Sequence, residues 1–280
     1  MTDPARIKRK LRRKIVVGLT RLLGTGVRES DIFVVGYPKS GTTWMEFLLI
    51  HALLEKKHPD RVNFRTQHGY VPDLSGLGPA DRVFLWPYAA RRDPRVFFTH
   101  CPFNRDLANA HILYVLRDPR DVLVSYWYHQ RRTATGGGSL SAFVRAAHFY
   151  PCHWDRHVAG WLDAAVKLPH FHLVRYEDLR RDTAGVLTQI LAFTGAAYSP
   201  ADVERAVKMA SFERMRALEQ RYPAPDSRPD SGIAFVRRGT VGGWKDELSA
   251  DDLRFILARY GPTMRRVGYL SDQAVALART

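Results

Sequence analysis

Cysteine is nearly absent from this chain: Cys101 and Cys152 are the two in 280 residues, too few for a disulfide framework. That excludes the small disulfide-stapled folds and fits a reducing cytoplasm. Long apolar runs are missing as well. No stretch approaches the roughly 20 residues that a membrane-spanning helix needs, and the start lacks the pattern of a signal peptide. Acid is scarce: 28 Asp and Glu stand against 43 Lys and Arg, a formal net charge of +15. The deficit is deepest at the beginning. Asp3 is the sole acid before Glu29, among Arg6, Lys8, Arg9, Lys10, Arg12, Arg13, Lys14, Arg21 and Arg28.

Ile7, Leu11, Ile15, Leu19 and Leu22 recur at helical spacing among those cations, so residues 1–28 read as a basic amphipathic segment. Its residues 6–23 could rest peripherally on an anionic bilayer, each cation contributing about 1 kcal/mol before screening, or pack their apolar stripe on the rest of the chain. Residues 29–280 are long enough to bury a sizeable core and are expected to form one domain.

What is present is an alternation of short apolar runs with helical patterns. Strands are expected near 31–36, 96–99, 111–116 and 170–175, and helices near 43–56, 119–131, 153–167 and 183–194. Such alternation predicts an α/β fold, a mainly parallel sheet covered by helices on both faces.

The first strand runs into Gly36-Tyr37-Pro38-Lys39-Ser40-Gly41-Thr42-Thr43-Trp44 and then a helical pattern. Gly36 and Gly41 have the separation found in a Walker A loop, G-x-x-x-x-G-K-[ST]. The lysine is displaced, however: Thr42 stands where that loop carries it, and Lys39 lies inside the turn. A helix N-terminus with free amides, three hydroxyls and a lysine is built to receive phosphate.

A second run, His111 to Leu116, leads at once into Arg117-Asp118-Pro119-Arg120-Asp121 and a helix carrying Ser125. Pro119 suits a first helical turn. Arg117 would emerge at the C-terminal edge of its strand, where open α/β sheets bind ligands, and its planar fork suits phosphate. Near the C-terminus, Phe235-Val236-Arg237-Arg238-Gly239-Thr240-Val241-Gly242-Gly243-Trp244-Lys245 has no periodicity and reads as an anion-binding loop.

These segments together resemble the sulfotransferases that use 3′-phosphoadenosine 5′-phosphosulfate (PAPS), in particular the cytosolic family. Tyr37 to Trp44 match its Y-P-K-S-G-T-T-W in full, and Arg117 to Tyr126 match R-[ND]-P-[KR]-D-x-x-x-S-[YW]. The third segment is similar to R-K-G-x-x-G-D-W-K, with Gly243 in place of the Asp, a change expected to loosen the loop. The resemblance implies a P-loop-like fold and a 5′-phosphosulfate site made by Lys39, Ser40, Gly41, Thr42 and Thr43. It places Trp44 against the adenine, and Arg117, Ser125, Arg237, Arg238 and Gly239 around the 3′-phosphate. Tyr176, from a Y-E-D-L strand end, and Phe212, from an S-F-x-x-M segment, fall near the base.

A sulfuryl transfer to a hydroxyl needs a proton acceptor. His100 ends the apolar run Val96 to Thr99, so it projects from the same sheet edge as the other motifs, and the family pattern K-T-H-x-P-F supports it. The resemblance thus implies a catalytic set of His100, Lys39 and Ser125, with the sulfuryl group moving from PAPS to a hydroxyl of a small-molecule, lipid or glycan acceptor. The family's lysine two residues before the histidine is Phe98 here, which leaves Arg95 as a displaced candidate for that charge.

Aromatics at Tyr70, Trp86, Tyr88, Phe103, Phe149, Tyr150 and Trp154 are candidates for an acceptor pocket, and Gly136 to Gly138 for a gating loop. No metal and no nucleic acid is expected. The rivals are a P-loop kinase using ATP and magnesium, which the position of Lys39 disfavours, and a polyanion-binding module, which leaves the ordered motifs without a purpose. The dimer motif K-x-x-x-T-V-x-x-x-E of the cytosolic family does not follow Trp244, so oligomeric state and acceptor identity stay open.

Overall fold

The computed structural model describes residues 26–75, 94–134, 138–228 and 231–270. The basic segment at 6–23, Trp86 and Tyr88, and Gly136 and Gly137 lie outside the described residues.

Four strands, β1 (Ile32–Gly36), β2 (Val96–Thr99), β3 (His111–Leu116) and β4 (Phe171–Arg175), form one parallel sheet in the order β2-β1-β3-β4. The register sets Ile32 against Val96 and His111, and Ile112 against Phe171. All four expected strands are found, and burial on both faces explains why β1, β2 and β3 read as largely continuous apolar runs, while β4, at the sheet edge, is mostly half-buried. Ile32, Val34, Phe98, Leu113 and Val174 enter one core, while Phe33, Val35, Phe97, Ile112 and Tyr114 enter the other.

Helices cover both faces. These are α1 (Thr42–Leu49), α2 (Gln67–Tyr70), α3 (Pro119–Thr133), α4 (Leu140–Val144), α5 (Trp154–Ala165), α6 (Tyr176–Arg181), α7 (Thr183–Thr194), α8 (Pro200–Met209), α9 (Phe212–Arg221) and α10 (Ala250–Arg266). Phe47, Leu187, Val203 and Met215 of α1, α7, α8 and α9 cover the first face. Val122, Trp161 and Ile256 of α3, α5 and α10 cover the second. The result is the expected three-layer α/β/α sandwich. Capping boxes Ser199/Asp202 and Ser249/Asp252 start α8 and α10, where a serine and an acid three residues later satisfy amides that the helix cannot.

Some expectations are corrected. The helix expected over 43–56 is regular only to Leu49 and continues as a wider, π-type turn over Ile50–Leu54. Arg95 is no candidate for the missing positive charge. Its guanidinium is fully buried at the opposite end of the strands, donating from Nε and Nη2 to the Asp31 carboxylate at 2.7 and 2.6 Å. Trp154 and Phe103 are not pocket aromatics either: Trp154 is buried in the second core, and Phe103 stacks edge-on against Trp161 with centroids 5.3 Å apart.

Candidate active site

The chain leaves β1 and β3 at the point where strand order runs outward in both directions, the place where parallel sheets open a crevice beyond their C-terminal ends. A cleft of about 530 Å³ opens there.

The β1–α1 turn is tight because of its glycines. Gly41 has φ +98°, and a Cβ on it would lie 2.5 Å from the Tyr176 ring. Lys39 holds φ +70° without being glycine, a conformation that costs about 1–3 kcal/mol and is retained where surrounding structure enforces it. Here Arg117 helps enforce it, donating from Nη1 to the Lys39 carbonyl at 3.2 Å and from Nη2 to the Thr240 carbonyl at 3.3 Å, with its guanidinium 4.2 Å over the Tyr176 ring. One arginine thus ties the β1–α1 turn, the end of β4 and the C-terminal loop together.

Every site residue read from the sequence except Ser40 lines this one cleft. Ser40 lies behind the turn, fully buried, and its Oγ has no partner among the described residues. The Nε of Arg117 is also buried and unpartnered among them. Ser125 reaches the cleft from the second turn of α3, which Asp118 caps by accepting from the Arg120 amide. Trp44 is fixed by donation from Nε1 to the Ala210 carbonyl at 2.8 Å. Gly239 has φ +61°, and a Cβ there would meet the Phe212 ring at 2.9 Å, so backbone and ring are in close packing.

The C-terminal loop is not loosened by Gly243. Asp121 of α3 accepts from the amides of Gly242 and Trp244 at 2.8 and 3.0 Å, and the chain then turns through Gly243–Asp246. Asp121, the acid of the Arg117 to Tyr126 segment, thus anchors the loop from the neighbouring helix. Arg237 and Arg238 are both held by Glu247, at 3.1 and 3.3 Å, which aims two cations along the same wall.

His100 follows β2. Its Nδ1 lies 2.6 Å from the Gly36 carbonyl. A carbonyl can only accept, so Nδ1 carries the proton and Nε2 keeps its lone pair. Burial pushes His100 down to about 4, so the ring is neutral at ordinary pH. Its backbone is held by a buried chain: His157 Nε2 donates to the His100 carbonyl at 3.1 Å, and the Tyr114 hydroxyl donates to His157 Nδ1 at 2.9 Å. Lys39 is also perturbed. Burial, and then repulsion from Arg132 and Arg117, pull its ammonium down to about 7, with Nζ 4.3 Å over the Phe235 ring.

Several cleft residues had escaped the sequence reading, His129, Glu46, Gln67 and Asp73 among them. His129 of α3, pushed down to about 3 by burial, faces the cleft and lies 3.1 Å from Arg132, which pairs with Asp226 at 2.9 Å. Glu46, Gln67 and Asp73 also line it. His129 sits one helical turn after Ser125 and was legible from that spacing; the other three carried no such signal. Of the expected pocket aromatics among the described residues, only Tyr150 lines the cleft, beside Tyr126, Phe64, Phe98 and Phe235. Among the described residues no group of at least three His, Cys, Asp or Glu is arranged to hold a metal, and no helix is long and apolar enough to cross a membrane.

Comparison with known proteins agrees with this fold. The chain is 29% identical over 241 residues to sulfotransferase 2A6 of Rattus norvegicus, covering 80% of each. It is 28% identical over 236 residues to the 3-alpha-hydroxysteroid sulfotransferase of Cavia porcellus, covering 80% of this chain and 79% of that protein. The crystal structure of mouse sulfotransferase SULT7A1 complexed with PAP shares the fold with a TM-score of 0.63 at 21% identity, over 94% of this chain and 91% of that one. A sequence model of the sulfotransferase domain matches residues 29–268, and on that match the chain belongs to the sulfotransferase domain family.

Proposed function

We propose that this chain transfers the sulfuryl group of PAPS to a hydroxyl of a small organic acceptor, with His100 as general base. The observation that carries this reading is the His100–Gly36 contact. It leaves a neutral imidazole Nε2 free, on the same sheet edge as the Lys39 turn.

The residues present fit the donor. A doubly phosphorylated nucleotide needs two anion sites and a place for a base. The Lys39 turn with Thr42 and Thr43 supplies one site, and Arg117, Ser125, Arg237 and Arg238 supply the other. The buried Nε of Arg117, which lines the cleft, has no partner among the described residues, and such a group is costly until something bonds it. Trp44, Tyr176 and Phe212 offer aromatic surface for the base, Trp44 and Tyr176 edge-on with centroids 5.9 Å apart.

When bound, PAPS supplies an activated sulfuryl group. His100 Nε2 takes the proton of the acceptor hydroxyl as its oxygen approaches sulfur, a contribution of about 10²–10⁴ in rate. Lys39 neutralises charge on the departing phosphate side. An anion beside Lys39 offsets the burial and repulsion that lower its pKa, so donor binding holds the lysine protonated for that role.

The test is a metal-free calorimetric titration with 3′-phosphoadenosine 5′-phosphate, run beside ATP with magnesium and repeated on Lys39→Ala and Arg117→Ala. Tight binding of the bisphosphate that Arg117→Ala weakens is the expected result. A preference for ATP with magnesium would move the reading to a kinase, and binding of nucleotides without regard to the 3′-phosphate would move it to a polyanion binder.

A further inference from the structure

The acceptor side of the cleft holds a group that the reaction above does not use. Glu46 lies on α1 just past the phosphate turn, 1% exposed, and neither carboxyl oxygen has a hydrogen-bond partner among the described residues. The nearest charged-type neighbour is His68, whose Nδ1 is 3.9 Å from Oε2 and also meets the Val71 carbonyl at 3.3 Å. Burial and then the charge of Asp73 drive the Glu46 carboxyl well above the ordinary range. An unpaired buried carboxyl is among the more destabilising features a core can carry, so its placement on a cleft wall calls for an occupant.

Two further acceptors share that wall. Gln67 opens α2, and its Oε1 is buried without a partner among the described residues. Asp73 is set beside Phe98 by a short parallel bridge, with Leu74 donating to the Phe98 carbonyl at 2.8 Å and Phe98 donating to the Pro72 carbonyl at 3.0 Å. The charge of Asp73 acts on both Glu46 and His100, so the acidic wall and the general base adjoin. The cleft's arginines serve the other side. Phe64 and Phe98 line the same cleft, and an aromatic face attracts a cation. A neutral hydroxyl would satisfy one lone pair here, whereas an ammonium beside Asp73 also favours the ionised form of Glu46 and donates three hydrogen bonds.

The geometry points to an acceptor that carries a protonated amine alongside its nucleophilic hydroxyl, with Glu46 and Asp73 receiving the ammonium and Gln67 completing its hydrogen bonds. This rests on the sulfotransferase reading, since it assigns the amine to the acceptor of that reaction.

The probes are tyramine and 4-ethylphenol, which differ in the ammonium, titrated into protein saturated with 3′-phosphoadenosine 5′-phosphate. Tyramine is expected to bind about tenfold more tightly or better, the scale of a charge-assisted hydrogen bond, and to show the same preference in kcat/KM with labelled donor. Glu46→Gln is expected to bring the ratio of the two phenols close to one, and Asp73→Asn to reduce it. Bisphosphate titration of each variant reports that the fold and nucleotide side persist. Equal or weaker binding of tyramine, no binding of either phenol, or an unchanged ratio in Glu46→Gln overturns the amine assignment. Failure of the bisphosphate to bind the native chain overturns the sulfotransferase reading instead, so the two failures are distinguishable.

Discussion

The two walls of the cleft differ in charge and in how the chain supplies them. The nucleotide side is cationic and hydroxyl-rich, and it comes from contiguous segments: Lys39 to Trp44, Arg117 to Ser125 and Arg237 to Gly239. The acceptor side is acidic and aromatic, gathered from isolated positions on α1, α2, the 72–74 bridge and the end of β2. The polar atoms differ too. Arg117, Arg237 and Arg238 are pre-positioned by protein partners, while both oxygens of Glu46 have none among the described residues. On the proposed reading, the side that holds the nucleotide is largely pre-organised, whereas the side that meets the acceptor leaves Glu46 for the ligand to satisfy.

The largest expected effect tests the boundary between the walls. His100→Ala should lower kcat by about 10²–10⁴ with a far smaller change in bisphosphate affinity, measured by steady-state sulfation and calorimetry on the same preparation. If both fall together, His100 belongs to the nucleotide wall and the division drawn here is wrong.

Next in size is Arg117→Ala. Loss of charge-assisted bonds worth about 1.5–3 kcal/mol should weaken bisphosphate binding by about 10–150-fold. The tyramine to 4-ethylphenol ratio should be far less affected.

A pH profile separates the walls without mutation. Lys39 has its pKa lowered to about 7 in the free protein, so its ammonium is lost as pH rises through that value. Donor kcat/KM should therefore fall above pH 7, by up to about tenfold per unit. Lys39→Arg, which stays protonated, should flatten that limb. His100, lowered to about 4, regains its proton as pH falls, so the acid limb should lie near 4 rather than near the ordinary 6.5.

The smallest effect sharpens the acceptor wall. Phe98 is 5% exposed, with its ring edge-on to His100 at 4.6 Å. Phe98→Lys would bring a cation beside Asp73 and should erase the roughly tenfold preference for the amine probe. A large rise in turnover with acceptor binding unchanged would instead show that the native site lacks a charge the chemistry needs.

The legibility of the molecule follows the same division. The strands β1, β2 and β3 were readable because both of their faces are buried, which leaves nearly continuous apolar runs. The nucleotide motifs were readable because a strand, a turn and a helix N-terminus are local, so Gly36, Lys39, Gly41 and Thr42 lie within one stretch of chain. Arg95 misled for the opposite reason. One strand's length separates it from His100, and its side chain pairs with Asp31 at the far end of the sheet. Gly243 misled as well, since Asp121, distant in sequence, anchors the loop it was expected to loosen.

The sequence by itself determined the α/β class, the phosphate turn, the two arginine segments and the candidate base, because each depends on short-range geometry and periodicity. Only the tertiary structure decided that these meet in one cleft, that the Gly36 carbonyl fixes the tautomer of His100, and that Glu46 faces Asp73 and Gln67 without a partner among the described residues. Those facts depend on burial and on contacts between distant segments, and both come into being only when the chain has folded.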